Sequence, residues 1–220
     1  VSSGNHLGRS FNVSRRLSNG TADPAYSPYT ASISGGSFIS IYDLSRASDG
    51  GVHVTGSLWP SMQPGPGVVS LIKFLPTGAN DGSFTSPTVA YGSQVRALSG
   101  GKVFYTASGG TITKPLVRLN ADGTIDSSFV LDPAITSIKN RWSLDPAGRP
   151  VFLAGVSTGV RLVRLLENGS IDPTFTPALG AAGTTNLVVT QPDGKSLIAG
   201  SFSALNGAAR AGFARVNADG

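Results

Sequence analysis

Five cations and four carboxylates recur in one phase along this chain. The cations are Arg16, Lys73, Arg118, Arg164 and Arg215, each shortly before a turn; the carboxylates are Asp23, Asp81, Asp126 and Asp172, each three residues after the turn's glycine. Such a set can do one of two things. A ladder of positive charge can receive an acidic partner. Alternatively, each cation closes an ion pair with the acid of its own or a neighbouring unit. Burying either charge alone is costly, so a paired charge in every unit is what repeat packing selects. Pairing is therefore the expectation for Arg118 and Asp126, and for Arg164 and Asp172.

Other groups able to do chemistry are few. The two histidines are His6, near one end, and His53, inside Val52-His53-Val54. A lone histidine alternating with valine reads as a solvent-facing or satisfied strand residue. The single glutamate, Glu167, has no carboxylate partner in view for glycoside chemistry. No serine stands in a Gly-x-Ser-x-Gly elbow. Asn120 to Asp126 has the alternating oxygens of a calcium loop but too few acids and no closing glutamate, so plain turn chemistry is expected. Cysteine is absent, which removes disulfides and thiolate metal sites. No catalytic residue, cofactor or metal is expected. Asn12, Asn19 and Asn168 open glycosylation sequons, two of which read simply as turns followed by a hydroxyl residue.

The elements that carry these residues come from a repeated phrase. It reads LVRLNADGTIDSSF around Leu119 and LVRLLENGSIDPTF around Leu165, with weaker copies around Leu17 and Phe74 and a partial copy from Phe213. The turn glycines are Gly20, Gly78, Gly123, Gly169 and Gly220, spaced 45 to 58 residues apart. Asn-Gly and Asp-Gly favour hairpins because those turns need positive φ. The aromatics Tyr26, Phe84, Phe129 and Phe175 follow each acid by three residues and are expected to anchor one unit on the next. A second set of turns, at Asp49-Gly50-Gly51, Ser99-Gly100-Gly101, Pro146-Ala147-Gly148 and Pro192-Asp193-Gly194, sits between apolar runs. Two hairpins per unit make four short strands, the content of one β-propeller blade. The expected architecture is all-β, with about four four-stranded antiparallel blades in a single propeller-like domain over residues 1–220. Its units run approximately 16–72, 73–117, 118–163 and 164–214, with a partial unit at 215–220.

The phrases RLNADGTIDSSF and QPDGKSLIAGSF resemble the delta-60 repeat family of bacterial propeller-like proteins. The resemblance runs from Arg16 to Gly220 and is degraded in the first two units, where Tyr26 replaces Phe and Asn80 replaces Ile. It implies a propeller fold and a tendency toward secreted or surface proteins. It implies no single activity and so supplies no catalytic residue.

Composition narrows the function classes. Charged residues are 13% of the chain, about half the usual share, and no run approaches a membrane span. The net charge is +5, but the basic residues are spread out, with Arg15-Arg16 the one doublet, so nucleic acid is not an expected partner. The longer first unit holds a loop with Trp59 and Met62. Loops on rigid scaffolds often bind, and these two are candidate partner-binding residues; the alternative is that Trp59 covers a blade edge. Both ends hold the same segment of a unit, which leads us to expect a slice of a longer or incomplete propeller. The expected function is a non-catalytic structural or protein-interaction module, secreted, periplasmic or on a bacterial surface, and partnered by other subunits or blades. A carbohydrate-binding propeller is the alternative. An enzyme with its site at the propeller axis is a third reading, which would need clustered carboxylates.

Overall fold

Positive-φ glycines define the turns, and the turns define the sheets. The computed structural model describes residues 9–27, 29–33, 39–58, 69–87, 91–108, 112–139, 141–180 and 184–220. β1 (Arg9–Val13) pairs with β2 (Tyr29–Ile33). β3 (Ile39–Arg46), β4 (Val52–Leu58) and β5 (Val69–Phe74) form a first antiparallel leaf in that order, and β6 (Tyr91–Ala97), β7 (Val103–Ser108) and β8 (Val117–Leu119) form a second. In the third leaf, β9 (Ser137–Ile138) and β10 (Ser143–Leu144) share one edge of β11 (Pro150–Val156), and β12 (Gly159–Arg164) takes the other. The fourth leaf begins with β13 (Thr184–Thr190) and β14 (Ser196–Ser201). A small hairpin of β15 (Ala204–Leu205) and β16 (Ala208–Ala209) follows, and β17 (Phe213–Val216) completes the leaf against β14. The chain divides into two compact units. Val1–Thr113 with Val117–Asp126 holds the first pair and the first two leaves; Lys114–Leu116 with Ser127–Gly220 holds the other two.

Leaves one, two and four have three strands each, leaf three divides its first strand into β9 and β10, and in leaves one to three the expected fourth strand contracts to one bridged residue. Asn80 bridges Phe74, Ile125 bridges Leu119 and Ile171 bridges Leu165. The reason lies one residue further on. Asp172 Oδ1 accepts the Thr174 N–H at 2.9 Å, and Asp81 does the same for Ser83 at 3.1 Å. This local bond bends the chain out of the ladder. The turns also differ from the expected form. Glycine alone takes positive φ there, as at Gly123 (88°) and Gly169 (95°). The preceding Asn or Asp instead accepts the N–H two residues on: Asp122 from Thr124 at 3.0 Å and Asn168 from Ser170 at 3.1 Å. The Asn168 oxygen also takes the Ser170 hydroxyl at 2.7 Å, so the hydroxyl of that sequon is already engaged.

The leaves have two unlike faces, set by the period-2 alternation of strands. On the first leaf the rows Ser45–His53–Lys73 and Asp43–Thr55–Leu71 share what we call the forward face. It meets the rear face of the second leaf, where Leu71 joins Val95, Val103 and Tyr105 in one core. Between leaves three and four the same holds: forward Val151, Leu153 and Leu162 pack with rear Val188, Ile198, Ala214 and Val216. Side chains of one inner strand also cap the next leaf's inner edge. Asp43 and Ser45 accept the N–H groups of Val95 (3.1 Å) and Ala97 (2.8 Å), and Ser143 accepts that of Thr190 (3.1 Å). Capping of this kind removes the open edge that would otherwise invite a foreign strand.

The phrase turns are pressed against the preceding repeat. A Cβ on Gly123 would lie 2.3 Å from the Thr85 carbonyl oxygen, whereas one on Gly20 meets nothing within 4 Å. Both have positive φ, 88° and 84°. Gly20→Ala should therefore cost about 1 kcal/mol, for backbone strain alone. Gly123→Ala should cost roughly 3 kcal/mol or more, because collision adds to strain. Urea midpoints check this, and equal losses at the two sites would contradict it.

Candidate functional site

The recurrent charges converge where each third strand ends and the chain returns from its turn. β12 delivers Arg164, and the turn brings back Asp172 eight residues later. Arg164 Nε and Nη2 both lie 2.8 Å from Asp172 Oδ2. The guanidinium carbon stands 4.7 Å from the centroid of the Phe175 ring, within cation–π range. Arg164 Nη1 donates to the carbonyl of Ala218 in the next turn. Arg118 repeats the arrangement, with Nε 2.6 Å from Asp126 Oδ2 and Lys102 Nζ 2.8 Å from the same oxygen. All four side chains of these two pairs are buried, as are the aromatics Phe129 and Phe175. In the second unit of the repeat Lys73 Nζ sits 2.9 Å from both Asp81 and Asp49.

In the first unit the structure corrects the sequence register. Arg15, not Arg16, holds Asp23 at 2.7 Å, and its Nη1 donates to the Pro76 carbonyl at 2.9 Å. Arg16 only reaches back to the Gly20 carbonyl at 3.1 Å. Counting five residues back from each turn glycine gives Arg15, Lys73, Arg118, Arg164 and Arg215, a rule the sequence contained.

His53 also departs from expectation. It is neither solvent-facing nor satisfied: it is fully buried, and neither ring nitrogen has a hydrogen-bond partner. It occupies the forward-face position held by Phe104 on the second leaf and Leu197 on the fourth. Its ring stands edge-on to Phe84 at 5.3 Å. Burial, and then the nearby Lys73 ammonium, lower its pKa to about 4. Trp59 and Met62 lie outside the described residues, as does His6.

A pocket of about 370 Å³ opens beside the Arg164 pair, lined by Asp145, Arg149, Arg164, Asp193 and Ala218 among others. Its charges are already engaged. Arg149 lies 2.8 Å from Asp145 and 3.4 Å from Asp172. Burial raises the Asp172 pKa, but the Thr174 hydroxyl and N–H together with Arg164 overcome it and hold the group at about 2. Five other carboxylates are also held below their ordinary value. The leading causes are the Ala25 N–H at Asp23, Lys73 at Asp49, the Ser83 hydroxyl at Asp81, the Thr124 hydroxyl at Asp122 and Lys195 at Asp193. Such groups are ionised at neutral pH and have no proton to give, whereas a general acid needs a raised pKa. Among the described residues no three His, Cys, Asp or Glu side chains gather as a metal site.

The forward face of the fourth leaf is a second candidate. Its rows are Val189–Leu197–Arg215 and Leu187–Ala199–Phe213. Leu187, Val189 and Phe213 are 42%, 44% and 61% exposed. Phe213 stands seven residues before its turn glycine, where the other leaves place Leu71, Leu116 and Leu162, each at most 1% exposed.

A match to one protein family agrees with this architecture. Residues 103–129, 151–175 and 191–220 match the family described as "Domain of unknown function (DUF5122) beta-propeller". The chain is an all-β protein of β-propeller type. No protein of curated function matches it. Two solved structures are similar. One, described as a candidate gluconolactonase, is 16% identical with a TM-score of 0.45, over 79% of this chain and 59% of that one. The other, a protein of unknown function from Bacteroides caccae, is 15% identical with a TM-score of 0.45, over 86% and 64%. The chain thus spans under two thirds of the length of either.

Removing Asp172 should leave the buried Arg164 without its carboxylate, while Arg149 keeps Asp145. Asp172→Ala should cost about 3–5 kcal/mol, as breaking a buried pair does, while Asp23→Ala beside the more exposed Arg15 should cost far less. Denaturant midpoints decide it, and an Asp172→Ala protein that unfolds like the parent would sink the pairing. The Asp172 pKa is depressed in the fold, so its stabilisation is complete above pH 4 and disappears as pH falls toward 2.

The His53 pKa is also depressed, from 6.5 to about 4. Its neutral form is the folded one, so stability is full above pH 6.5 and declines as pH falls through 4. His53→Leu should flatten the melting profile between those pH values. A slope unchanged by the substitution would show that the group is not buried neutral.

Proposed function

We propose that the chain is a non-catalytic protein-interaction module. The observation that carries the reading is the forward face of the last leaf. Its outward apolar residues are contiguous, while the corresponding faces of the other leaves are covered. An exposed apolar patch of this kind marks an interaction surface. The chemistry-bearing residues support the same reading from the other side: Arg15, Lys73, Arg118 and Arg164 are each committed to a repeat carboxylate, and of the pocket's other charges Arg149 pairs with Asp145 and Asp193 with Lys195. The lactonase description belongs to a structural neighbour of 16% identity and transfers no activity. Low charge density fits a secreted, periplasmic or surface-attached bacterial protein, which is the setting we propose.

The reading predicts where contact occurs. A photoreactive benzoylphenylalanine placed at position 213 should give protein adducts in an extract of the source organism. The same probe at Ser18, on an exposed turn, should not. Absence of adducts at position 213 would contradict the proposal. Strong binding of the chain on a glycan array, unaffected by Phe213→Asp, would point instead to a carbohydrate-binding propeller.

A further inference from the structure

We infer that the end of leaves three and four remote from their turns binds an acidic polypeptide segment, through Lys139, Arg141 and Arg161. The inference rests on the reading of the chain as an interaction module and names a partner's chemistry, but it uses a surface separate from Phe213. Charge is segregated along these two leaves. From residue 127 to 220 the carboxylates are Asp132, Asp145, Glu167, Asp172, Asp193 and Asp219. Five of them stand in the turns or on the returns from them, and Asp132 accepts the N–H of Ile171 on such a return at 3.1 Å. The strand ends and loops away from the turns, at 133–141, 154–161, 176–187 and 200–212, hold no carboxylate, yet they carry Lys139, Arg141, Arg161 and Arg210. All four cations are exposed. The ion pairs of these leaves are made by Arg149, Arg164 and Lys195 instead.

The backbone brings these cations together. Ala154 of β11 lies opposite Ile138 on one side and Arg161 on the other. Neighbouring strands stand about 4.8 Å apart, so Arg161 is rooted about 10 Å from the Ile138–Lys139 segment. Lys139 donates its N–H to the Leu153 carbonyl at 2.9 Å, and its stem crosses Gly155, where a Cβ would lie 2.9 Å from Lys139 Cε. Arg141 follows two residues on, and its N–H reaches the Asn186 carbonyl of the fourth leaf at 3.3 Å. Five residues of extended chain, about 17 Å, separate Ala154 from Arg149 and its partner Asp145. That exceeds the screening length of about 8 Å at physiological ionic strength, so the turn acids do not offset these charges. The pattern selects an acidic polypeptide. Two of the three cations are arginines, whose planar fork matches a carboxylate. Carboxylates on one face of an extended chain recur every ~7 Å, within reach of long side chains rooted about 10 Å apart. Nucleic acid carries a charge every ~1.7 Å and is held by dense cations and by stacking on aromatic rings. Here the cations are sparse, and Trp142 and Phe152, the aromatics of leaf three, are buried.

The test is fluorescence anisotropy with a fluorescein-labelled dodecapeptide of alternating Glu and Ser. Saturable binding is expected at about 0.15 M salt and should weaken steeply at about 0.5 M. Lys139→Gln/Arg141→Gln/Arg161→Gln should bind ~10-fold more weakly, the sum of three exposed ion pairs. Arg16→Gln/Arg46→Gln/Lys195→Gln removes the same charge beside the turns and should bind like the parent. Equal loss in the two variants would reduce the binding to net charge and overturn the inference, as would a parent that shows no saturable binding. Should the first variant fail to fold, Lys139→Gln and Arg161→Gln are read singly, and binding unaffected by either overturns it too. Tighter binding of duplex DNA or polygalacturonate than of the peptide, at matched charge, would make the occupant a nucleic acid or an acidic glycan and refute the polypeptide. Peptide binding lost in Phe213→Asp would place the contact on the forward face and refute it as well. Adducts at position 213 without peptide binding would leave the interaction reading intact and this inference refuted. Peptide binding without such adducts would contradict the forward face and support this one.

Discussion

The fold depends on one hydrogen bond that recurs at three repeat boundaries. The residue after Tyr26, Phe84 and Phe129 donates its N–H to the carbonyl that precedes the next turn glycine. Ser27 donates to Thr77 at 2.8 Å, Thr85 to Asp122 at 2.7 Å and Val130 to Asn168 at 2.9 Å. That bond is possible only because the turn presses flat against the preceding chain, and the turn presses flat only because it ends in glycine. The Cβ of any other residue at Gly78, Gly123 or Gly169 would come within 2.1–2.4 Å of a backbone oxygen. Gly20, with no earlier repeat described against it, has free space around the same position. Two constraints, positive φ and close approach, thus act on one residue, and both arise from how repeats join.

The charged residues work at the same seam. A buried guanidinium is tolerable only with its donors satisfied. Arg164 divides them between its own Asp172 and the Ala218 carbonyl of the next turn; Arg15 divides them between Asp23 and Pro76. Each pair therefore joins two repeats while neutralising itself. The planar ring of Phe175 lies against the buried Arg164, and that of Tyr26 stands 5.3 Å from the more exposed Arg15. A chain with so few charges spends them on its own cohesion, which is why the pocket beside Arg164 offers a ligand little unsatisfied charge.

Much of this was legible in sequence because the constraint is periodic. Recurring glycines, acids and aromatics told where the hairpins fall and which residues pair. What was not legible depended on register or on neighbours. Arg15 and Arg16 are adjacent, and only the fixed count to Gly20 separates them. The alternation around His53 was read correctly as a strand, but a strand packed on both faces buries every residue, and a valine-flanked histidine carries no mark of that. The fourth strand was lost to a local competitor, since the same aspartates that pair with arginine also cap the backbone two residues on. The uncovered forward face could not be seen at all from residue types, because Phe213 and Leu71 are both simply apolar; only burial distinguishes them.

The central claim is that the seam bonds are part of the cooperative core, although they lie in loops. Native-state hydrogen exchange of the Thr85 and Val130 amides measures this directly. If the account holds, both amides exchange only through unfolding of the unit that contains them, with the denaturant dependence of core amides such as Tyr105 and Leu153. Exchange at the rate of a surface loop, indifferent to denaturant, would contradict it.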